Sequence, residues 1–416
     1  MKTSFRRRSN GKVKCDLSIL FGFVHVFLLY RPYLQTCCFS EGEIGNHKKR
    51  FLRKVVTTIA SVNHKISLLQ GYMLILMAIG ILNHVIIIPL LLTASQRDAW
   101  ISVLAVLAVS PVWIACLSYI LKNMNGTPVK TWLYRHFGKL PATGMLVFFT
   151  IYMFVMGAIS LKDTITWTIA SYLPQTPALA LVLAGVGCNL LAAYAGLRVI
   201  AIVTGILLPV VIVLGDFVMT ANYKYKDYSL LFPVFEFGWE PVWKGALYAA
   251  GGLLEIICIL FYQEHLSKRP RFGTLMLVNV LLAGLILGPL MGAIAVFGPA
   301  EAANQRYPAY EQWRLVQLGQ YISHLDFFSI YQWLSGTFVR VSLALFLMVD
   351  IWKPGKRLPW LILYGALMIV AVVLPVSDAR FLNFLRNVFF PTSVYAALGL
   401  TALLVAKIWI SNRMKR

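Results

Sequence analysis

The stretch that decides the fold is the first long apolar run, Ser67 to Thr93, SLLQGYMLILMAIGILNHVIIIPLLLT. It exceeds the roughly 20 apolar residues that a helix needs to cross a bilayer. Its middle nevertheless carries Gly80, Asn83 and His84, and Pro89 follows. A helix that serves only as an anchor gains nothing from a glycine, an amide and an imidazole at mid-depth. Irregular backbone within a membrane persists only where protein or a water-filled cavity surrounds it. The stretch therefore predicts a discontinuous helix lining a small-molecule site.

The composition agrees with a membrane chain. Of 416 residues, 59% are hydrophobic and only 13% charged, with a mean hydropathy of +0.73; soluble proteins hold about 25% charged residues. The net charge of +22 suggests nucleic acid until its placement is read. The first 66 residues carry 13 Lys/Arg against 3 Asp/Glu, and the later charges sit mainly in short connections. No basic-aromatic module stands outside the apolar runs, so nucleic acid is excluded as a partner. The lipid bilayer is the partner instead. Six cysteines are scattered, Cys15, Cys37 and Cys38 near the start and Cys116, Cys188 and Cys258 within apolar runs, without metal spacing.

Residues 1–65 differ from the rest. A basic start and a short apolar run, Leu17 to Tyr30, resemble a signal peptide, but no small-residue cleavage site follows. The segment reads as an extension, disordered or a start-site artefact, ahead of a membrane domain over 66–416. Within that domain the runs are Ser67–Thr93, Ala99–Leu121, Pro141–Tyr172, Thr176–Ala195, Val199–Met219, Trp243–Tyr262, Phe272–Phe297, Phe327–Trp352, Pro359–Leu374 and Val388–Ile410. The expected fold is all-α, with about ten transmembrane helices. Counting Lys and Arg in alternate connections gives 14 on one side and 7 on the other. The positive-inside rule then places both termini in the cytoplasm. The connection PAYEQWRLVQLGQYISHLD has apolar residues Trp313, Leu315, Val316, Leu318 and Ile322 near one helical face, which predicts an interfacial cap, with a moving lid as the other reading.

Ten runs divide into five and five, and the odd number makes the second half an inverted repeat of the first. The sixth run, WKGALYAAGGLLEIICILFY, carries Gly251-Gly252 at its centre and Glu255 one turn on. Interrupted helices at matching positions of two halves are the best sequence pointer to a transporter-type site. Packing alone is the other explanation for the two glycines; it is the expected role of Gly284, Gly288 and Gly292 in the seventh run. Glu255 lies about 18 Å along the helix from Trp243, near the bilayer midplane. A carboxyl there implies a partner or a function, and Arg340, at comparable depth in the eighth run, is the natural partner. A structural pair and a substrate-coupled pair remain equally open. Tyr152 and His84 could each reach the cavity or sit packed and hydrogen-bonded. No P-loop, G-x-G-x-x-G, H-E-x-x-H or nucleophile elbow occurs, so no enzyme, metal or cofactor is expected.

Three segments carry a family resemblance: KISLLQGYMLILMAIGILNHVIIIP, TPALALVLAGVGCNLLAAYAGLRVIAIV, and RYPAYEQWRLVQLGQYISHLDFFSIYQWLSGTFVRVSL. From about Lys65 onward the chain resembles the spore germination permeases, the B subunits of bacterial germinant receptors, within the amino acid–polyamine–organocation superfamily. The resemblance implies a ten-helix inverted repeat in the inner spore membrane. It also implies a germinant, such as an amino acid, bound near the first, third, sixth and eighth runs, and receptor A and C subunits as partners. Tyr152, Gly251, Gly252 and Glu255 match family positions, and Arg340 stands where many relatives carry a basic residue. Relatives often have a small, glycine-containing break where this chain has Leu82-Asn83-His84. The competing expectations are a proton-coupled amino acid transporter working through Glu255, and an ion or water conduit within a receptor complex.

Overall fold

Ser67 opens the first helix with a reciprocal cap: its hydroxyl accepts from the Gln70 amide, and the Gln70 side chain accepts from the Ser67 amide. The computed structural model describes residues 65–317 and 324–414. The extension over 1–64, with Cys15, Cys37 and Cys38, lies outside the described residues, as do Leu318, Gln320 and Ile322 of the expected cap.

Helix α1 (Leu68–Ile81) runs into a π-turn, Leu82–Ile86, and continues as α2 (Ile87–Ser95). Gln96, at φ 45°, ends α2, and a short 3-10 turn (Gln96–Asp98) leads into α3 (Ala99–Met124). A short amphipathic helix, α4 (Val129–Phe137), precedes the long α5 (Lys139–Ser171). Then come α6 (Ala178–Ala195), α7 (Leu197–Ala221) and α8 (Trp239–Leu253), which tightens into a 3-10 segment, Leu254–Phe261. Helix α9 (Phe272–Phe297) is followed by α10 (Pro299–Asn304), α11 (Pro308–Arg314), α12 (Phe328–Asp350) and α13 (Arg357–Val373). The chain closes with α14 (Asp378–Phe384), a second π-turn at Leu385–Phe389, and α15 (Phe390–Arg413).

The described residues are mostly helical and hold no strand beyond an isolated bridge of Ile66 to Leu266. Among the described residues, eight helical runs are long and apolar enough to cross a membrane. The first, Leu68–Met124, has 57 residues and contains the turn at Gln96–Asp98; Arg357–Val373 is a shorter apolar helix. An α-helix satisfies its own backbone groups, which is why such chains cross lipid as helices.

Burial sorts these runs. The most apolar windows of Leu68–Met124, Trp239–Phe261 and Leu325–Asp350 are 89%, 78% and 83% buried, against 28% for Ala178–Ala195. The buried runs form the centre, and the apolar faces of α6, α7, α13 and α15 point outward to lipid. Glu255 and Arg340 belong to two of the central runs. Helix α12 packs on α5, α1, α6 and α7, so it touches both the core and the outer ring.

Polar connections gather at two poles. At one, the Ile66 amide donates to the His265 carbonyl at 2.8 Å, and Lys130 donates to the Trp352 carbonyl. At the other, Asn222 donates to the Gln312 carbonyl and Arg97 pairs with Glu236.

The expected amphipathic helix over 308–322 is shorter than its apolar spacing suggested. Helix α11 stops at Arg314, and Trp313 and Val316 bury themselves against Val218 and Leu325. A capping segment that fills a hollow between helices gains more apolar burial than one lying flat on the surface.

Candidate functional site

The interruptions of the first and sixth runs are changes of helical pitch rather than open loops. In the first, the Leu82 amide bonds the Ile79 carbonyl and the Ile87 amide bonds the Leu82 carbonyl. The Ala78 carbonyl loses its usual partner, Leu82, and takes Arg340 instead: Nη1 donates to it at 2.8 Å. A carbonyl released at mid-depth is free to accept from a cation, and a guanidinium from the chain's own α12 fills that role.

Arg340 is the hub. Its Nη2 donates to Glu255 Oε2 at 3.0 Å and lies 2.8 Å from Oε1, and its Nε donates to Ser160 Oγ at 2.8 Å. One planar side chain thus joins α1, α5, the 3-10 end of α8 and its own α12. Both charged side chains are 1% exposed. Burying two ions is repaid only when geometry is good and the remaining donors are satisfied; every nitrogen of this guanidinium has a partner.

The eight residues singled out from sequence do not all share one space. Tyr152, Gly251 and Glu255 line a cavity of about 420 Å³ between α5, the 3-10 end of α8 and α15. Its wall is apolar apart from the Tyr152, Glu255 and Ser393 side chains, and Val129 and Leu133 of α4 also line it. Tyr152 lies parallel to Phe389, ring centres 5.9 Å apart. Gly80 and His84 line a different cavity, described below. Asn83 lies between: its Nδ2 donates to the Leu282 carbonyl at 3.3 Å, while Oδ1, buried, has no partner among the described residues. Arg340 lines neither cavity.

Both central glycines serve close approach. A Cβ on Gly252 would collide with Asn83 Oδ1 and Ile87, and one on Gly251 with the Phe390 ring. Gly251 also faces the cavity, so packing and lining coincide there. Gly284 and Gly288 depart from expectation. A Cβ at Gly284 would meet nothing within 4 Å, and at Gly288 only Met219, at 3.9 Å; both line the second cavity. Gly292 alone of the three is closely packed, against Gln312.

Sequence reasoning missed Ser160, the Ala78 carbonyl and the tenth-run residues Phe389, Phe390 and Ser393. Ser160 lies eight residues after Tyr152, about two turns along one helical face, a spacing that could have flagged it. The π-turn at Leu385–Phe389 reads LRNVF and has no glycine or proline in its sequence.

Further polar clusters mark the poles. Arg306 donates to Asp163 at 2.6 Å and to Asp378 at 2.9 Å, joining α5 to the connections before α12 and α15. Neighbouring acids raise the Arg306 guanidinium above its ordinary value although burial opposes them, and burial raises the Tyr307 phenol. At the opposite pole His265 Nε2 lies 2.7 Å from Asp350, with Glu264 beside it. These three could converge on a metal ion, yet Lys353 and Arg357 already hold the outer carboxylate oxygens, at 2.8 and 3.3 Å. Asp350 is too distant in sequence for the motif to be visible there.

A helical membrane protein with a central arginine hub and an adjoining small-molecule-sized cavity is the class that fold and site define. Residues 65–393 match the family described as spore germination protein. Over 343 residues the chain is 43% identical to a protein of Bacillus anthracis named spore germination protein XB, covering 81% of this chain and 96% of that one. The chain belongs to the spore germination protein family of permease type.

Proposed function

We propose that this chain is the B subunit of a germinant receptor, binding a small nutrient in the cavity lined by Tyr152 and Glu255. The observation that carries this reading is the contact of that cavity with Glu255, whose other side is held by Arg340. A ligand with an ammonium group and a modest apolar body fits an apolar wall bearing one carboxylate, which favours an amino acid. Its ammonium would compete with Arg340 for Glu255. Because Arg340 also binds α1 and α5, a change at Glu255 is felt by four helices at once. Allosteric signalling needs such an element with differential contacts in two states. No catalytic step enters this reading.

The rest of the assignment follows the family. The protein acts beside receptor A and C subunits in the inner spore membrane, as a 5+5 inverted repeat of ten helices with both termini cytoplasmic. Transport of a proton with the amino acid is the alternative. It requires Glu255 to be released from Arg340 in each cycle, and the buried, hydrogen-bonded ion pair at rest favours the receptor reading.

The test is ligand binding and spore germination with a panel of single amino acids and sugars. Glu255→Gln and Tyr152→Phe variants that still insert are expected to lose at least tenfold in affinity for the effective nutrient, and germination with it. Unchanged affinity in both would remove the cavity from the mechanism. Proton-dependent accumulation of a labelled amino acid in proteoliposomes would replace the receptor reading by the transporter.

A further inference from the structure

The second cavity, about 470 Å³, lies between α1, α7, α9 and α12. Gly80, Gly215, Gly284, Gly288 and Gly336 line it, so each of its four helices contributes at least one glycine. Space at Gly284 and Gly288 is left unfilled by the protein, as their lack of close neighbours shows. The α7 wall runs from Leu208 to Met219, about 17 Å at 1.5 Å per residue. One leaflet of a hydrocarbon core about 30 Å thick has nearly that depth. Flanking side chains Ile212, Val213, Leu277 and Leu281 are exposed and apolar, so the cavity opens onto lipid.

Its mouth is charged. Asp216 lines the cavity, is exposed, and has no cationic partner among the described residues. An ionisable side chain on a membrane helix without a partner is the signature of a site. Met219, one turn on, also lines the cavity, and Lys226 donates to its carbonyl at 3.0 Å without meeting a carboxylate among the described residues. Tyr223, Phe232 and Phe237 in the connection that follows, and Trp239 and Trp243 in the first turns of α8, are exposed. Aromatic residues of this kind mark the headgroup level of a bilayer. One carboxylate and one ammonium therefore stand at headgroup depth above an unfilled apolar slot.

We propose that this slot holds one acyl chain of a bilayer phospholipid whose zwitterionic headgroup sets its ammonium on Asp216 and its phosphate on Lys226. Phosphatidylethanolamine has that charge pattern; phosphatidylglycerol lacks the ammonium. The lipid would contact Gly80 and His84, placing the bilayer against the π-turn. The proposal does not depend on nutrient binding, because Asp216, Lys226, Gly284 and Gly288 are absent from that cavity.

The test is native mass spectrometry of the full chain released from nanodiscs of equal phosphatidylethanolamine and phosphatidylglycerol. The wild type is expected to retain one phosphatidylethanolamine at least fivefold over phosphatidylglycerol. The Gly284→Leu/Gly288→Leu variant, filling the slot, is expected to retain none. Asp216→Asn is expected to keep a lipid but lose the headgroup preference. No retained lipid in the wild type, retention unaltered by filling, or a preference that survives Asp216→Asn would each overturn the proposal. Should the filled variant not fold, chain-brominated phosphatidylethanolamine decides with the wild type and Trp313→Phe. Quenching that loses its Trp313 share in the variant supports the site, and equal quenching in both overturns it.

Discussion

Arg340 makes the sharpest prediction at the scale of one residue. Arg340→Met leaves Glu255 buried without a cation, and breaking a buried pair from one side costs about 3–5 kcal/mol. The unfolding midpoint in detergent should fall accordingly, while the Arg340→Met/Glu255→Met double variant should recover most of that loss. A double variant no more stable than the single would mean that the pair contributes little. Arg340→Lys is expected to behave as a poor substitute, since one ammonium cannot reproduce a fork reaching Glu255, Ser160 and Ala78 together. The pairing of Glu255 with Arg340 could be read from sequence because both residues sit at mid-depth on apolar helices, where a lone charge is expensive. Ser160 and Ala78 could not be read as readily. A serine in a membrane helix is ordinary, and a backbone carbonyl becomes an acceptor only when its helical partner shifts.

Helices carry a second set of expectations. In α9, Gly284→Ala should change stability little, since its Cβ enters open space, whereas Gly292→Ala must displace Gln312. Gln312 donates to the Pro289 and Pro308 carbonyls, so Gly292→Ala is expected to cost about 1–3 kcal/mol, as for overpacking of a filled core. Equal thermal midpoints for the two variants would refute this difference between glycines. Small-xxx-small spacing alone treats Gly284, Gly288 and Gly292 alike, because it records residue size and says nothing of what the facing helix offers. The same limitation applies to the cap. Periodicity extended it past Arg314, but Trp313 and Val316 were free to bury themselves against Val218 and Leu325, and that contact overrode the surface helix.

For the molecule as a whole, the organisation was legible because lipid imposes few solutions: apolar length fixes the helices and short polar connections fix their ends. Asp163, Arg306 and Asp378 meet at one pole and Glu264, His265 and Asp350 at the other, in the alternation that the order of runs predicts. Which cavity each residue faces was not legible, since rotation about a helix axis is decided by neighbours distant in sequence. Arg306→Ala removes the tie among three segments at that pole and leaves Asp163 buried without its ion pair. Loss of a buried partner predicts about 3–5 kcal/mol of destabilisation, together with faster hydrogen exchange over α10 and α11. Unchanged exchange there would show that the apolar contacts of α11 suffice to hold it.

The π-turn at Leu82–Ile86 holds one residue more than an α-turn closing the same length of axis. An α-helix advances 3.6 residues per turn, so expelling that surplus would rotate Leu68–Ile81 by about 100° against α2. Ala78 would then recover Leu82 as its partner, and its oxygen would swing away from the guanidinium. The bond from Arg340 to Ala78 stabilises the present register against that α-helical one. A single-residue deletion within 82–86 should lock the other one, visible as loss of the Arg340 contact with the stretch at Ser67 still helical.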